Sequence, residues 1–435
     1  MAQNNEQRIF PPMDGGGCIV KGVKRIAHLD IPGGAQVVEQ SGYLFIGHLC
    51  PPEGTSIIDV RNPGKPRLAA RIVLPDMESH SHKVMVSGDL MIVNSQRHRR
   101  KFFRKSEKLQ GVESKLTIEK KEKPNDMEIA EAMGIKPQEV EVLRAELTYE
   151  YQHGGFRIYN IANPSNPREI CFQPTGGMGA HGFDFDGQYC YVSTEMAGFR
   201  GNILVIYDLS VPARPKEVSR WCLPGQEAGD SKLTSQLNGN WLHHALKSGH
   251  ILWAACSDAG IWAIDITDIT RPVTAGTYNY HPPFPESTHT VMAIPQTNQG
   301  RKLALAIDEE HDNHPRGQPH AALWICDVHQ TDNIKPLSVF EVSELDSPWS
   351  RSGSRFGASQ IVEHPTGNLV YAAWFAGGLR IVDISDPASP REYGYFIPPP
   401  APGLPAPQSM DVEVDNRGII YLLDRNRGLD ILELS

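Results

Sequence analysis

Four histidines recur at one point of a repeated pattern, and their shared chemistry is the first clue to function. His82 lies six residues before Gly88, His181 six before Gly187 and His243 six before Gly249. His289 takes the matching place, because "THTVMAI" reads as "SHKVMV" does around His82. Each glycine sits in a polar turn flanked by apolar runs, a hairpin signal, so each histidine opens the first strand of a hairpin. The chain has 17 histidines in 435 residues, too few for four equivalent positions to coincide by chance. Neutral imidazole is a ligand for Fe, Zn, Cu, Ni or Mn. Four such ligands leave the full charge of a dication in place, so the ion would be a strong Lewis acid with positions open for substrate, water or dioxygen. The expected centre is a divalent transition metal, Fe(II) favoured and Mn, Cu or Zn as alternatives, held by His82, His181, His243 and His289.

No HExxH, CxxC or GxSxG element accompanies these residues, so the ligands must be gathered by the fold. The elements that would gather them are visible as repeats. "TSIIDVRNPGKPRLAARI" (55–72), "GGFRIYNIANPSNPREICF" (154–172), "GNILVIYDLSVPARPKEVSRW" (201–221), "GIWAIDITDITRPVTAGTY" (260–278), "ALWICDVHQTDNIKPLSVF" (322–340) and "GLRIVDISDPASPREYGYF" (378–396) share one plan. Each is a strand, a polar turn with a nearby proline, and a second strand. A hairpin precedes each, and "SMDVEVDNRGIIYLLD" (409–424) followed by "GLDILELS" (428–435) gives a seventh, incomplete copy.

Strands A to D, repeated seven times, predict an all-β, seven-bladed β-propeller spanning 1–435 as one domain. The N-terminal segment 19–32 is expected to supply the missing strand D of the last blade and so remove an open edge. In a propeller, strand A lines the axis, so four histidines at the start of strand A in consecutive blades converge. His244 alternates away from His243 and is expected to face the other side.

The phrase "LRIVDISDPASP" resembles the LVIVD-repeat family of β-propellers, a resemblance that implies fold and not chemistry. The four-histidine arrangement is similar, as architecture alone, to the carotenoid-cleavage oxygenases, which hold non-haem Fe(II) on histidines backed by glutamates. The copper-dependent methanethiol oxidase propellers are a second architectural analogue.

Long insertions fall in the loops before strand A and between strands B and C, which open on one face. Residues 95–153 interrupt module 2 with a basic run, "RHRRKFFRKSEK", and a helix-like stretch. They read as an insertion or lid, the basic run as a solvated face. Residues 309–321, "EEHDNHPRGQPHA", interrupt module 5. Groups expected to orient the imidazoles stand at the ends of strand B: Asn94, Glu195, Asp308, Glu309, Glu310, Asp258 and Asp424. Glu195 and Glu309 are the favoured catalytic carboxylates. His48, His80, His311 and His314 belong to the same face. Trp241, Phe284, Phe356, Trp374 and Phe375 are candidates to line a pocket there.

The net charge of −9 argues against a general nucleic-acid partner, and no apolar run is long enough for a membrane span. The seven scattered cysteines read as reduced core residues. The opening residues lack the basic and apolar regions of a secretory leader, so a cytoplasmic protein is expected, with a homo-oligomer allowed. The favoured function is a metal-dependent enzyme, a non-haem Fe(II) oxygenase acting on a small apolar or aromatic substrate. The alternatives are a metal-dependent hydrolase or lyase that activates water, and a non-catalytic protein-interaction propeller with structural histidines.

Overall fold

The computed structural model describes residues 17–229, 241–294, 300–311, 319–365 and 367–435. His314 and the centre of the 309–321 loop lie outside these residues. The repeats fold as antiparallel four-stranded modules. Module 1 is Gly34–Gln40, Tyr43–His48, Glu53–Asp59 and Arg67–Val73. Module 4 is His244–Ser248, Ile251–Ala255, Ile261–Asp265 and Val273–Tyr278. Modules 2 and 3 merge into one nine-stranded sheet where Gly179 pairs with Gln96.

The polar turn between strands C and D repeats for a physical reason. Asp383 Oδ1 accepts the backbone N–H of Ser385 at 2.8 Å, and Asp386 Oδ1 accepts that of Ala388 at 3.1 Å. Asp265 and Asp268 do the same for Thr267 and Thr270, and Asn160 and Asn163 for Ala162 and Ser165. These tandem turns let a short side chain replace a missing backbone acceptor. A register shift follows at a fixed place in the C–D pair, at Ile206/Tyr207, Ala263/Ile264, Ile325/Cys326 and Ile381/Val382. Strands B and C are buried along most of their length, whereas strands D are half-exposed.

Apolar clusters form between neighbouring modules. Phe45 and Ile57 of module 1 pack with Met91 and Val93 of module 2. Tyr191 and Ile206 of module 3 pack with Ala245 and Leu252 of module 4. Val37 and Leu44 of module 1 pack with Tyr421 and Leu429 of module 7.

The N-terminal segment divides, which corrects the single strand expected over 19–32. Val23–Leu29 pairs antiparallel with Gly428–Leu434 as the outer strand of module 7. Ile19–Lys21 instead adds a fifth strand to module 6, against Arg391–Ile397. Gly22, at φ +69°, permits the break between them, because only glycine takes that conformation without strain.

The insertion in module 2 holds four helices: α1 (Arg100–Phe103), α2 (Ser106–Lys120), α3 (Asp126–Met133) and α4 (Pro137–Glu146). Asn125 caps α3 by accepting from Met127 and Glu128, and Gly134 ends it at φ +59°. Leu109, Ile129, Ala130, Val140 and Leu143 make a small core of their own. No described helix is long and apolar enough to cross a membrane.

Candidate metal centre

His82, His181, His243 and His289 come together, as the repeat register requires. All four line one cavity of about 430 Å³. Ring centroids are 4.8 Å apart for His82 and His181, 4.4 Å for His181 and His243, and 4.0 Å for His243 and His289. Close backbone approach makes this convergence feasible. A Cβ on Gly182 would lie 2.6 Å from His244 Cβ, and one on Gly47 would lie 2.5 Å from the His82 carbonyl oxygen. Only glycine lets neighbouring modules meet so tightly there.

The Nδ1 atom of every ring has a partner. His181 Nδ1 is 3.0 Å from Gln96 Oε1, so it carries the hydrogen and donates. His289 Nδ1 is 2.9 Å from Thr290 Oγ1. Thr290 gives its own hydrogen to Gln360 Oε1, so it accepts from His289. His243 Nδ1 is 2.9 Å from His244 Nδ1, and His244 Nε2 faces Glu363 Oε1 at 3.4 Å. A hydrogen on His244 Nε2, facing the carboxylate, makes His244 Nδ1 the acceptor and His243 Nδ1 the donor. Three rings are thus set with Nε2 unprotonated, the tautomer a metal requires.

His82 differs. Asn94 Oδ1 accepts from the Lys83 backbone at 2.8 Å, and Asn94 Nδ2 donates to the Ala180 carbonyl at 3.1 Å. The amide orientation is therefore fixed, and Nδ2 also donates to His82 Nδ1 at 3.1 Å. A ring that accepts at Nδ1 carries its hydrogen on Nε2.

His181 Nε2 and His243 Nε2 stand 2.8 Å apart. Two bare lone pairs at that separation repel unless a cation, proton or metal, lies between them. The proton is disfavoured. Burial, then Arg100 and the neighbouring rings, hold His181 well below the ordinary imidazole range. Burial, then His289 and His244, do the same for His243. His289 is pushed down to about 4, chiefly by burial. As the side chains stand, no three His, Cys, Asp or Glu groups among the described residues form a finished chelate. The fit rests on tautomer and pairwise spacing. The Arg100 guanidinium lines the cavity 3.4 Å from His181 Nε2 and supplies part of the missing positive charge.

The two expected carboxylates separate. Glu309 lines the cavity, 3.9 Å from His289 Nε2, 3.7 Å from His311 Nε2 and 3.2 Å from Arg355. Burial raises its pKa, but His289, His311, Arg355 and Lys101 outweigh that and hold it at about 2. Glu195 does not line the cavity. It pairs with Arg104 and accepts from the Met178 backbone at 2.9 Å, fastening the insertion to module 3. Of the aromatic candidates Trp241 lines the cavity, while Phe356, Trp374 and Phe375 are fully buried core.

Three features escape the sequence pattern. The basic run is not a solvated face: Arg97 is buried between Glu78 and Glu146, Arg104 holds Glu195, and Arg100 enters the cavity. His244 is not turned away from its neighbour but hydrogen-bonded to it. Glu363 also pairs with Lys83 Nζ at 2.5 Å, and no local spacing connects these residues. The polar residue at the start of strand A in each module was the only available hint.

The sheets and their order make the chain a β-propeller. Residues 366–396 match the LVIVD repeat family, the stretch that holds "GLRIVDISDPASPREYGYF". Two solved structures share the fold at 11% identity. The periplasmic gluconolactonase PpgL of Pseudomonas aeruginosa aligns over 86% of each chain with a TM-score of 0.51. A streptogramin B lyase aligns over 96% of this chain and 98% of its own with a TM-score of 0.50. No curated protein matches the chain.

Proposed function

We propose that the seven modules are the blades of a closed seven-bladed propeller, sealed by Val23–Leu29, and that the chain is a metal-dependent enzyme. His181, His243 and His289 hold a divalent transition metal through Nε2. His82 stands beside them as an N–H donor to whatever small molecule binds there. The observation that carries this reading is the pair of Nε2 atoms 2.8 Å apart, each made an acceptor by the bond at its own Nδ1. Bound there, a divalent ion supplies Lewis-acid polarisation and, if Fe(II), redox chemistry with dioxygen.

An Fe(II) oxygenase is the favoured reaction. A general base works best with a pKa near the operating pH, and Glu309, held at about 2 and bound to Arg355, is too weak a base for neutral water. The second reading, a hydrolase or lyase, takes support from His311, which lines the cavity between Glu286 and Glu309 and offers a base of another kind. From the insertion, Arg99, Arg100 and Lys101 line the cavity.

Metal analysis of purified and reconstituted protein tests the proposal. Near-stoichiometric metal is expected, lost in each of His181→Ala, His243→Ala and His289→Ala. Iron supports the oxygenase and zinc the hydrolytic reading. A folded protein that takes up no transition metal after reconstitution sinks both.

A further inference from the structure

The charge lining the cavity does not balance. Arg100, Arg355 and Arg425 all face it, and Glu309 is the one carboxylate among its described lining residues. Lys83 and Lys101 line it too, but Lys83 is paired with Glu363 behind the rings and Lys101 acts on Glu309. Arg99, at the rim, is paired with Glu139. Arg100 and Arg425 have little to satisfy them. Arg355 shares Glu309 and the Glu310 carbonyl and rests on the Phe375 ring, its guanidinium carbon 3.7 Å from the centroid. Arg100 has a single weak acceptor, His181 Nε2. The Arg425 side chain has no hydrogen bond or ion pair among the described residues.

From this imbalance we infer that the cavity binds a small organic oxyanion, a carboxylate or phosphate, clamped by Arg100, Arg355 and Arg425 above the histidine ring. The guanidinium fork matches both oxyanions in geometry and is retained where bidentate recognition is needed. Burial and then Arg355 lower the Arg425 pKa, so its guanidinium ion is strained by its surroundings, and an anion relieves that strain. A resident dication would add to the surplus, so the inference names the substrate class of the proposed enzyme. It rests on that reading for the chemistry but not for the binding, which the arginines perform in metal-free protein. Arg100 arrives on the insertion and Arg355 and Arg425 on the blade side, so a bound oxyanion joins the two. The apolar flank, with Trp241, Leu49 and Met410, suits an anion with an apolar body, which shifts the expected substrate from neutral to acidic.

Calorimetric titration of chelator-treated full-length protein at low salt tests the site with benzoate, inorganic phosphate and, as neutral isostere, benzamide. Saturable one-to-one binding of benzoate or phosphate is expected, and which of them binds tells carboxylate from phosphate. Arg425→Gln and Arg100→Gln should each weaken it at least tenfold, with melting temperature and metal uptake unchanged in Arg425→Gln. Two results overturn the inference: no binding of either anion to folded protein, or benzamide binding as tightly as benzoate. Because metal uptake is measured after reconstitution of the same variants, loss of metal and loss of anion binding are read separately.

Discussion

The assignment of His82 as donor and not ligand can be tested quantitatively. Structural zinc sites bind with about 10–16 kcal/mol over four ligands, so one ligand is worth roughly 3 kcal/mol, or on the order of 100-fold in affinity. Recruiting His82 through Nε2 requires its Nδ1 to carry the hydrogen, and Asn94 would have to turn its amide end for end. The Lys83 backbone N–H, now 2.8 Å from Oδ1, would then face an NH2 group, and the Ala180 carbonyl, now 3.1 Å from Nδ2, would face an oxygen. Two mispaired buried groups cost about 1–3 kcal/mol each, which offsets all that the fourth ligand returns.

His82→Gln should therefore weaken zinc or cobalt binding less than tenfold, while His181→Ala, His243→Ala and His289→Ala each weaken it about 100-fold or more. Asn94→Asp reverses the tautomer. A carboxylate still accepts from Lys83 and now accepts from His82 Nδ1–H as well, so Nε2 becomes a donor to metal. Binding should tighten at least tenfold, although loss of the Ala180 bond lowers stability by about 1–3 kcal/mol. Titration against a competing chelator gives the affinities, and Co(II) absorbance reports coordination number. A His82→Gln loss as large as that of His181→Ala, or no tightening in Asn94→Asp, refutes the tautomer argument.

Two further predictions concern stability. His48 and His289 are each pushed down to about 4, both chiefly by burial. Between pH 4 and 6.5 the unfolded chain takes up protons that the folded chain does not. Metal-free stability is thus fully present above pH 6.5 and lost as pH falls toward 4, by up to about 3 kcal/mol per residue. Urea unfolding across that range measures it, and stability that stays flat to pH 4 contradicts the buried, neutral state of these rings. The buried pair Lys83–Glu363 predicts a cost of about 3–5 kcal/mol for Lys83→Met or Glu363→Leu alone, because each strands a charge. The double variant should cost well under the sum, and an additive double-mutant cycle would show that the two charges do not compensate each other.

The fold was legible because its signals are local. An Asx turn, a hairpin glycine and an alternating strand are each written within a few residues, and seven copies leave little room for error. The convergence of four histidines was legible for the same reason, since strand register in a repeat carries a position in one module to its neighbours. The division of 19–32 was not, because Ile19–Lys21 and Val23–Leu29 have the same strand character and only the positive φ at Gly22 parts them.

Charge was misread for a different reason. Arg97, Arg100 and Arg104 look like a solvated run in sequence, and their partners Glu78, Glu146 and Glu195 are scattered on both sides of it. Ion pairs have no period, so the pattern that locates a ligand cannot locate its counter-charge. The same holds for His244. Register places it one residue out of the ring, yet its Nδ1 receives the hydrogen that leaves His243 Nε2 unprotonated, and Glu363, 119 residues away, fixes that polarity. Repetition specifies which atoms meet at the axis. Which lone pairs they present is decided by non-repeated residues, and there the four equivalent histidines divide into three acceptors and one donor.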